Sequence, residues 1–188
     1  TKVSPQCLRA HNNQGVVLYN MGEMEKAAAA FNAAKAIKDH DIINNNIGAI
    51  ALKNGDVEAA KEAFTASMGA GPKVNYNLGI VSIIEGEYET ALNYFGSEAS
   101  FNAALAKYLK GDSDGAWRMA ANLEKRGGMG YYLLAVIAAG QDKPEAALEN
   151  LQLAVENCGS AQYIKDLAAK DLEFAKLFET AEFKAIVE

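Results

Sequence analysis

A glycine followed by an acid recurs along this chain between helix-prone stretches, at Gly22-Glu23, Gly55-Asp56, Gly86-Glu87 and Gly111-Asp112. The glycines stand 33, 31 and 25 residues apart, and a weaker Gly140-Gln141-Asp142 follows after 29 more. Such a period fits a pair of helices that buries its apolar face only against the pairs before and after it. The glycine supplies the left-handed backbone that ends one helix. The acid behind it lies near the positive end of the next helix dipole.

The flanking residues keep the same register. A small residue stands seven positions before each turn glycine, at Gly15, Gly48, Gly79 and Ala104, and another stands five positions after it, at Ala27, Ala60, Ala91 and Ala116. Four residues further on comes Phe31, Phe64 or Phe95, with Ala120 in the fourth copy. Facing small residues let two antiparallel helices approach, and the aromatic is expected to fill the gap to the next repeat. Half the residues are apolar, only three are proline, and no run of alternating β-branched residues argues for a sheet. The chain therefore reads as all-α, with room in its 188 residues for five to six helix pairs.

The short spacing between Gly86 and Gly111 implies that the fourth repeat loses about two helical turns. A fifth is expected through Tyr132, Ala135, Ala147, Leu151 and Ala154, with Pro144 in a helix first turn. Gly127, Gly128 and Gly130 read as an inter-repeat loop, with a flexible break as the alternative. Tyr163, Leu167, Leu172, Phe174, Leu177, Phe178, Phe183 and Ile186 punctuate a charged tail expected to form closing helices over the last apolar face.

These residues resemble the tetratricopeptide repeat, a helix pair of about 34 residues. Gly15, Gly22, Ala27, Phe31 and Ala34 match a first copy, Gly48, Gly55, Ala60 and Phe64 a second, and Gly79, Gly86, Tyr88, Ala91 and Phe95 a third. Asn13-Gln14-Gly15, Asn46-Ile47-Gly48 and Asn77-Leu78-Gly79 repeat an Asn-x-Gly of the family, and Pro72 falls at its terminal proline. Asp171-x-x-Phe174-x-x-Leu177 followed by Phe183 is similar to a closing segment on some members. The resemblance implies a right-handed superhelical solenoid of antiparallel helix pairs, about five repeats over residues 1–160, with capping helices over 161–188 in the same structural domain. The style of the repeats is also similar to segments of bacterial proteins, some exported to the cell envelope of Bacteroidetes. That likeness suggests an extracytoplasmic setting, with a cytoplasmic one as the alternative.

The residues give no sign of catalysis. His11 and His40 lack a companion at metal-ligand spacing, Cys7 and Cys158 lie near opposite ends of the array as free thiols, and no nucleophile elbow, Walker loop or dinucleotide fingerprint occurs. Paired acids such as Asp39 with Asp41 sit at turns and helix starts, where dipole and solvation account for them. A net charge of −6 argues against a nucleic-acid role. The longest nearly apolar stretch, Tyr131 to Ala139, falls far short of the roughly 20 residues that span a bilayer. The chain starts at Thr1 without a leader pattern, which reads as a processed product or a piece of a longer protein.

In the family the first helix of each repeat lines a concave groove, and the matching positions here include Asn45, Leu52, Tyr76, Ile80, Ile83, Phe101, Leu105, Tyr108 and Tyr132. The resemblance thus implies a partner-binding groove at Asn45, Tyr76, Ile80, Ile83, Phe101, Leu105, Tyr108 and Tyr132, several of which could equally be core between repeats. Asn13, Asn46, Asn77 and Asn102 recur at one repeat position, either to bond neighbouring helices or to touch a ligand. Some members clamp a chaperone's C-terminal carboxylate with such asparagines and basic residues. Asn12 and Val16 with a single matching Lys73 leave that clamp incomplete. The expected function is a non-enzymatic scaffold, without metal or cofactor, that binds a peptide or protein segment in its groove. The alternative is a spacer or self-association module of a larger envelope protein, its groove filled by its own tail or a second copy.

Overall fold

The computed structural model describes residues 5–68 and 71–188, with side chains from Cys7 onward. Among the described residues there are twelve α-helices, one 3-10 turn and no strand. Contacts divide them into two compact units, one ending at Phe95 and one spanning Gly96–Glu188, a boundary inside the stretch expected to be a single array. In the N-terminal unit α1 (Pro5–Asn20) pairs with α2 (Met24–Ile37), α3 (Asp41–Lys53) with α4 (Val57–Thr65), and α5 (Pro72–Ile84) with α6 (Tyr88–Phe95). In the C-terminal unit α7 (Phe101–Leu109) pairs with α8 (Ser113–Ala121) and α9 (Gly127–Gly140) with α10 (Pro144–Glu156). There follow α11 (Ala161–Ala168), the 3-10 turn (Leu172–Phe174) and α12 (Ala181–Val187). The architecture is a helical-repeat solenoid with helices closing its end.

One turn joins the helices in every pair. The turn residue donates its N–H three residues back and its successor donates five back: Gly22 to Tyr19 with Glu23 to Leu18, Gly55 to Leu52 with Asp56 to Ala51, Gly86 to Ile83 with Glu87 to Ser82, and Gly111 to Tyr108 with Asp112 to Lys107. These two bonds satisfy carbonyls at the helix end, and the geometry needs a left-handed residue. The four glycines take φ of 79°, 81°, 80° and 96°. In the fifth pair the same bonds run from Asp142 to Ala139 and from Lys143 to Ala138, both at about 3 Å, and Asp142 adopts φ 55°. The fifth turn residue is therefore Asp142, and Gly140 belongs to α9. Ala135, Ala147 and Leu151 then fall seven before, five after and nine after it, as in the other copies. The two aspartates behind the glycines also cap: Asp56 Oδ1 accepts from the Ala59 N–H at 3.1 Å and Asp112 Oδ1 from Gly115 at 2.9 Å.

The aromatic lies on its own pair's glycine. A Cβ added to Gly15, Gly48 or Gly79 would stand 2.5, 2.7 or 2.4 Å from the ring of Phe31, Phe64 or Phe95. Phe31 also joins Ile43 and Ile50 of the next pair in one buried cluster, and Phe64 joins Val74, Leu78 and Val81 of the next in another, so these two rings cover the glycine and reach the next repeat. The fourth repeat is short because α7 has nine residues where α3 and α5 have thirteen, and α6 has eight.

Gly127, Gly128 and Gly130 form neither a loop nor a break; they open α9. Gly128 is buried where α9 meets the end of α10, and a Cβ there would stand 2.6 Å from Cys158 Cβ and 2.8 Å from the Ala154 carbonyl oxygen. Arg126, just before them, donates Nε to the Ala120 carbonyl at 3.2 Å and Nη2 to that of Ala121, closing the end of α8. The tail closes the array as expected. Ile164, Ala168, Phe174, Leu177 and Phe183 are buried in one cluster with Ala147, Leu151 and Ala154, while Tyr163 and Leu172 remain exposed.

Candidate functional site

The first helix of each pair carries three positions of interest, ten, six and three residues before the turn residue. In the N-terminal unit they hold Asn12, Asn45 and Tyr76, then Val16, Ala49 and Ile80, then Tyr19, Leu52 and Ile83. Val16, Tyr19 and Ala49 line one notch of about 140 Å³ together with Asn46 and Phe31. Neighbouring first helices therefore turn this row of positions toward a shared concavity. Val16 and Tyr76 leave 39% and 40% of their surface in solvent, and the Tyr76 ring tilts against Phe95 at 5.4 Å. Asn45, Leu52, Ile80 and Ile83 are half-buried. Val16, Tyr19 and Ala49 were not among the expected groove residues, although the same offsets from Gly22 and Gly55 point to them.

The asparagines bond one repeat to the next. Asn46 Nδ2 donates to Asn12 Oδ1, and Asn77 Nδ2 donates to Asn45 Oδ1, each at 2.9 Å. Each half-buried amide thereby finds a partner without water. The ten-before position then changes character, to Tyr76 and, in the C-terminal unit, to Phe101 and Tyr132.

In the C-terminal unit the corresponding row is closed at Tyr132 and Val136. Tyr132, expected to face a partner, is only 6% exposed; its hydroxyl donates to Asp171 Oδ2 at 2.8 Å and its ring meets the Phe174 ring edge-on at 5.9 Å. The reason is the 3-10 turn, which crosses α9 and puts its acid and its aromatic on this tyrosine. The Tyr108 hydroxyl lies beside the Glu173 carboxylate, both next to Gly140. Burial first, and the adjacent carboxylate second, push both phenols above their ordinary value. Phe101, Leu105 and Tyr108 are half-buried against a cluster of Ala104, Leu133, Leu134 and Ile137. The structure thus groups the expected site residues in two sets. Asn45, Tyr76, Ile80 and Ile83 lie in the N-terminal unit, while Phe101, Leu105, Tyr108 and Tyr132 lie partly or wholly in the core of the other.

Among the described residues no group of three or more His, Cys, Asp or Glu is placed to hold a metal ion, and no helix is long and apolar enough to cross a membrane. His40 serves locally, its Nδ1 accepting from the Ile42 N–H at the start of α3.

Sequence models of the tetratricopeptide repeat match residues 1–42 and, immediately after, residues 43–70. The chain carries tetratricopeptide repeats. The five turns extend that helix-pair geometry beyond the matched residues, through Asp142. In fold, this TPR chain is similar to the Pseudomonas aeruginosa pilF structure, with 15% identity over 97% of this chain and 87% of that one and a TM-score of 0.72. It is similar to a tetratricopeptide repeat protein of Parabacteroides merdae ATCC 43184, with 17% identity, 98% and 84% covered and a TM-score of 0.71. It is also similar to YrrB, described as a TPR protein with an unusual peptide-binding site, with 22% identity, 78% and 84% covered and a TM-score of 0.58. At these identities the likeness establishes the TPR fold. A sequence comparison with curated proteins finds no match.

Proposed function

We propose that this TPR chain is a non-catalytic scaffold that binds an extended peptide or protein segment in the groove of its N-terminal unit. TPR arrays are generally interaction scaffolds. The observation that carries the reading is the contrast along the groove row. Val16 and Tyr76 keep about two fifths of their surface exposed beside half-buried Leu52, Ile80 and Ile83, whereas the equivalent Tyr132 and Val136 are shut beneath the chain's own tail. Exposed tyrosine next to aliphatic side chains favours association, because it offers a large apolar area with little rotamer entropy to lose. The peptide-binding site that YrrB's description records supports the same kind of ligand on this fold.

The test selects peptides from a random phage-displayed library on the intact chain and titrates the winners into Tyr76→Ala and Val16→Asp variants. Both side chains leave about two fifths of their surface in solvent, and affinities are compared on variants whose helical content matches wild type. Affinity should fall at least tenfold, the usual effect of removing an interface anchor. Selected peptides that bind both folded variants as tightly as the wild type would move the function away from this groove.

A further inference from the structure

Residues 171–178 sit on the C-terminal unit as a ligand would. Asp171 accepts from the Tyr132 hydroxyl at 2.8 Å, and the Glu173 carboxylate lies beside the Tyr108 hydroxyl over Gly140. Phe174 is fully buried between the rings of Tyr132 and Phe183, with centroids at 5.9 and 5.8 Å. Leu177 is buried in the same cluster as Val136. Gly140 makes room for this contact: a Cβ there would stand 2.7 Å from the Tyr108 hydroxyl and 3.3 Å from Glu173 Oε2. One phenol bonded to a carboxylate and a second lying beside another, with an aromatic side chain seated next to them, form a built recognition surface. Covering an apolar end alone would need no such polar pairing.

The segment is also arranged so that it can leave. It is one 3-10 turn followed by irregular turns, and Leu172 beside the contacts is 80% exposed. Its departure breaks none of the five paired-helix turns, all of which lie before residue 144. Short segments with little regular structure open at lower cost than whole units.

We propose that Tyr108, Tyr132 and Val136 form a second binding site, latched by the chain's own residues 171–188, whose partner is a protein segment of the same chemistry: two acids one residue apart, the second followed directly by an aromatic, as in Asp-x-Glu-Phe. The tethered latch acts at an effective concentration of about millimolar order, so a partner occupies the site when it offers further contacts or when the latch is weakened. The site lies within the C-terminal unit and is independent of the groove proposed above.

The test uses the full chain and a fluorescein-labelled peptide with the sequence of residues 169–182. Asp171→Asn with Glu173→Gln loosens the latch while leaving Tyr108 and Tyr132 in place. The peptide should bind this variant at least tenfold more tightly than the wild type, read by anisotropy. A peptide carrying Phe174→Ala should fail to bind, and adding Tyr132→Phe to the loosened chain should lower affinity at least fivefold. Equal binding to wild type and variant, or no binding to a variant whose helical content matches wild type, overturns the proposal. A readout on the wild type alone stands beside it. Amides of residues 175–187 should exchange with deuterium at least tenfold faster than those of residues 133–139 in α9. Exchange of both stretches together would mean that the latch opens only with the whole unit, and would overturn the proposal even if the variant failed to fold.

Discussion

The N-terminal unit sets a phenylalanine on a glycine in each of its three helix pairs, Phe31 on Gly15, Phe64 on Gly48 and Phe95 on Gly79. The C-terminal unit has Ala104 with Ala120 and Ala135 with Leu151 at the same two positions, all buried. As the residue on the first helix grows by a methyl group, the one on the second shrinks. Ala135 with Leu151 keeps about the combined volume of glycine with phenylalanine, as close packing requires, whereas the two alanines of the fourth pair fill less. The units differ on the groove side as well. One leaves Tyr76 and Val16 partly in solvent, and the other covers Tyr132 and Val136 with its tail.

The packing half of this contrast is the easiest to break. Phe64→Ala removes a fully buried ring that no neighbour replaces and should cost about 3–5 kcal/mol. Ala120→Gly, at the same position of the fourth repeat, should cost only about 1 kcal/mol, from helix propensity and one lost methyl. Urea denaturation of the two variants compares them directly, and similar losses would mean that the contact does not follow the volume rule. A sharper version moves one unit's solution into the other. Gly48→Ala alone pushes a Cβ to 2.7 Å from the Phe64 ring and should cost about 1–3 kcal/mol. Gly48→Ala with Phe64→Leu recreates the Ala135 and Leu151 pair. The double variant should be more stable than the sum of the singles by about 1 kcal/mol or more. Strict additivity would defeat the volume argument.

The groove half can be probed at Tyr132. Tyr132→Phe deletes the donor to Asp171 and should destabilise the chain by about 1–2 kcal/mol in urea denaturation. Alkaline pH tests the same contact without mutation. The folded phenols of Tyr108 and Tyr132 lie above their unfolded value, so the stability they lend is whole below about pH 10. It is lost as pH rises beyond that toward the folded values. Phenolate absorbance of the wild type should show two tyrosines titrating late, and Tyr108→Phe with Tyr132→Phe should remove that late phase. A late phase that survives the double substitution would place the protection elsewhere.

The elements visible in the sequence were those with local causes. A glycine with an acid behind it, alanines at fixed offsets and aromatics four residues on are all contained within about 20 residues, so the helix pairs and their register could be read directly. Contacts that join distant residues could not. Tyr132 meets Asp171, which is 39 positions away, so its groove-like place in the repeat concealed its burial. Gly128 is small because Cys158 and the Ala154 carbonyl press on it, a constraint that looks like a loop when only the glycine run is visible. The open groove was half legible. The offsets that pick out Ile80 and Ile83 also pick out Val16 and Tyr19, yet the expected groove began only at Asn45.

Asp142 ties these strands of argument together and gives the smallest effect. Four turns use glycine for a left-handed residue; the fifth uses an aspartate at φ 55°, which L-residues other than glycine adopt only at some cost, least for Asp and Asn. The nearby Gly140 does not serve as the turn because it is needed on α9, where its missing side chain admits Tyr108 and Glu173. Asp142→Gly should relieve the backbone while giving up an exposed ion pair with Lys176, which is worth little in water. The net change should be a gain of about 0.5 kcal/mol or less, because the added freedom of glycine in the unfolded chain offsets part of the relief. Gly55→Asp imposes the aspartate on the N-terminal unit and should lose about 1 kcal/mol. Opposite signs in thermal melts of the two variants would confirm that both units share one turn. A loss in both would mean that the Asp142 side chain contributes more to holding residues 171–178 in place than its backbone costs.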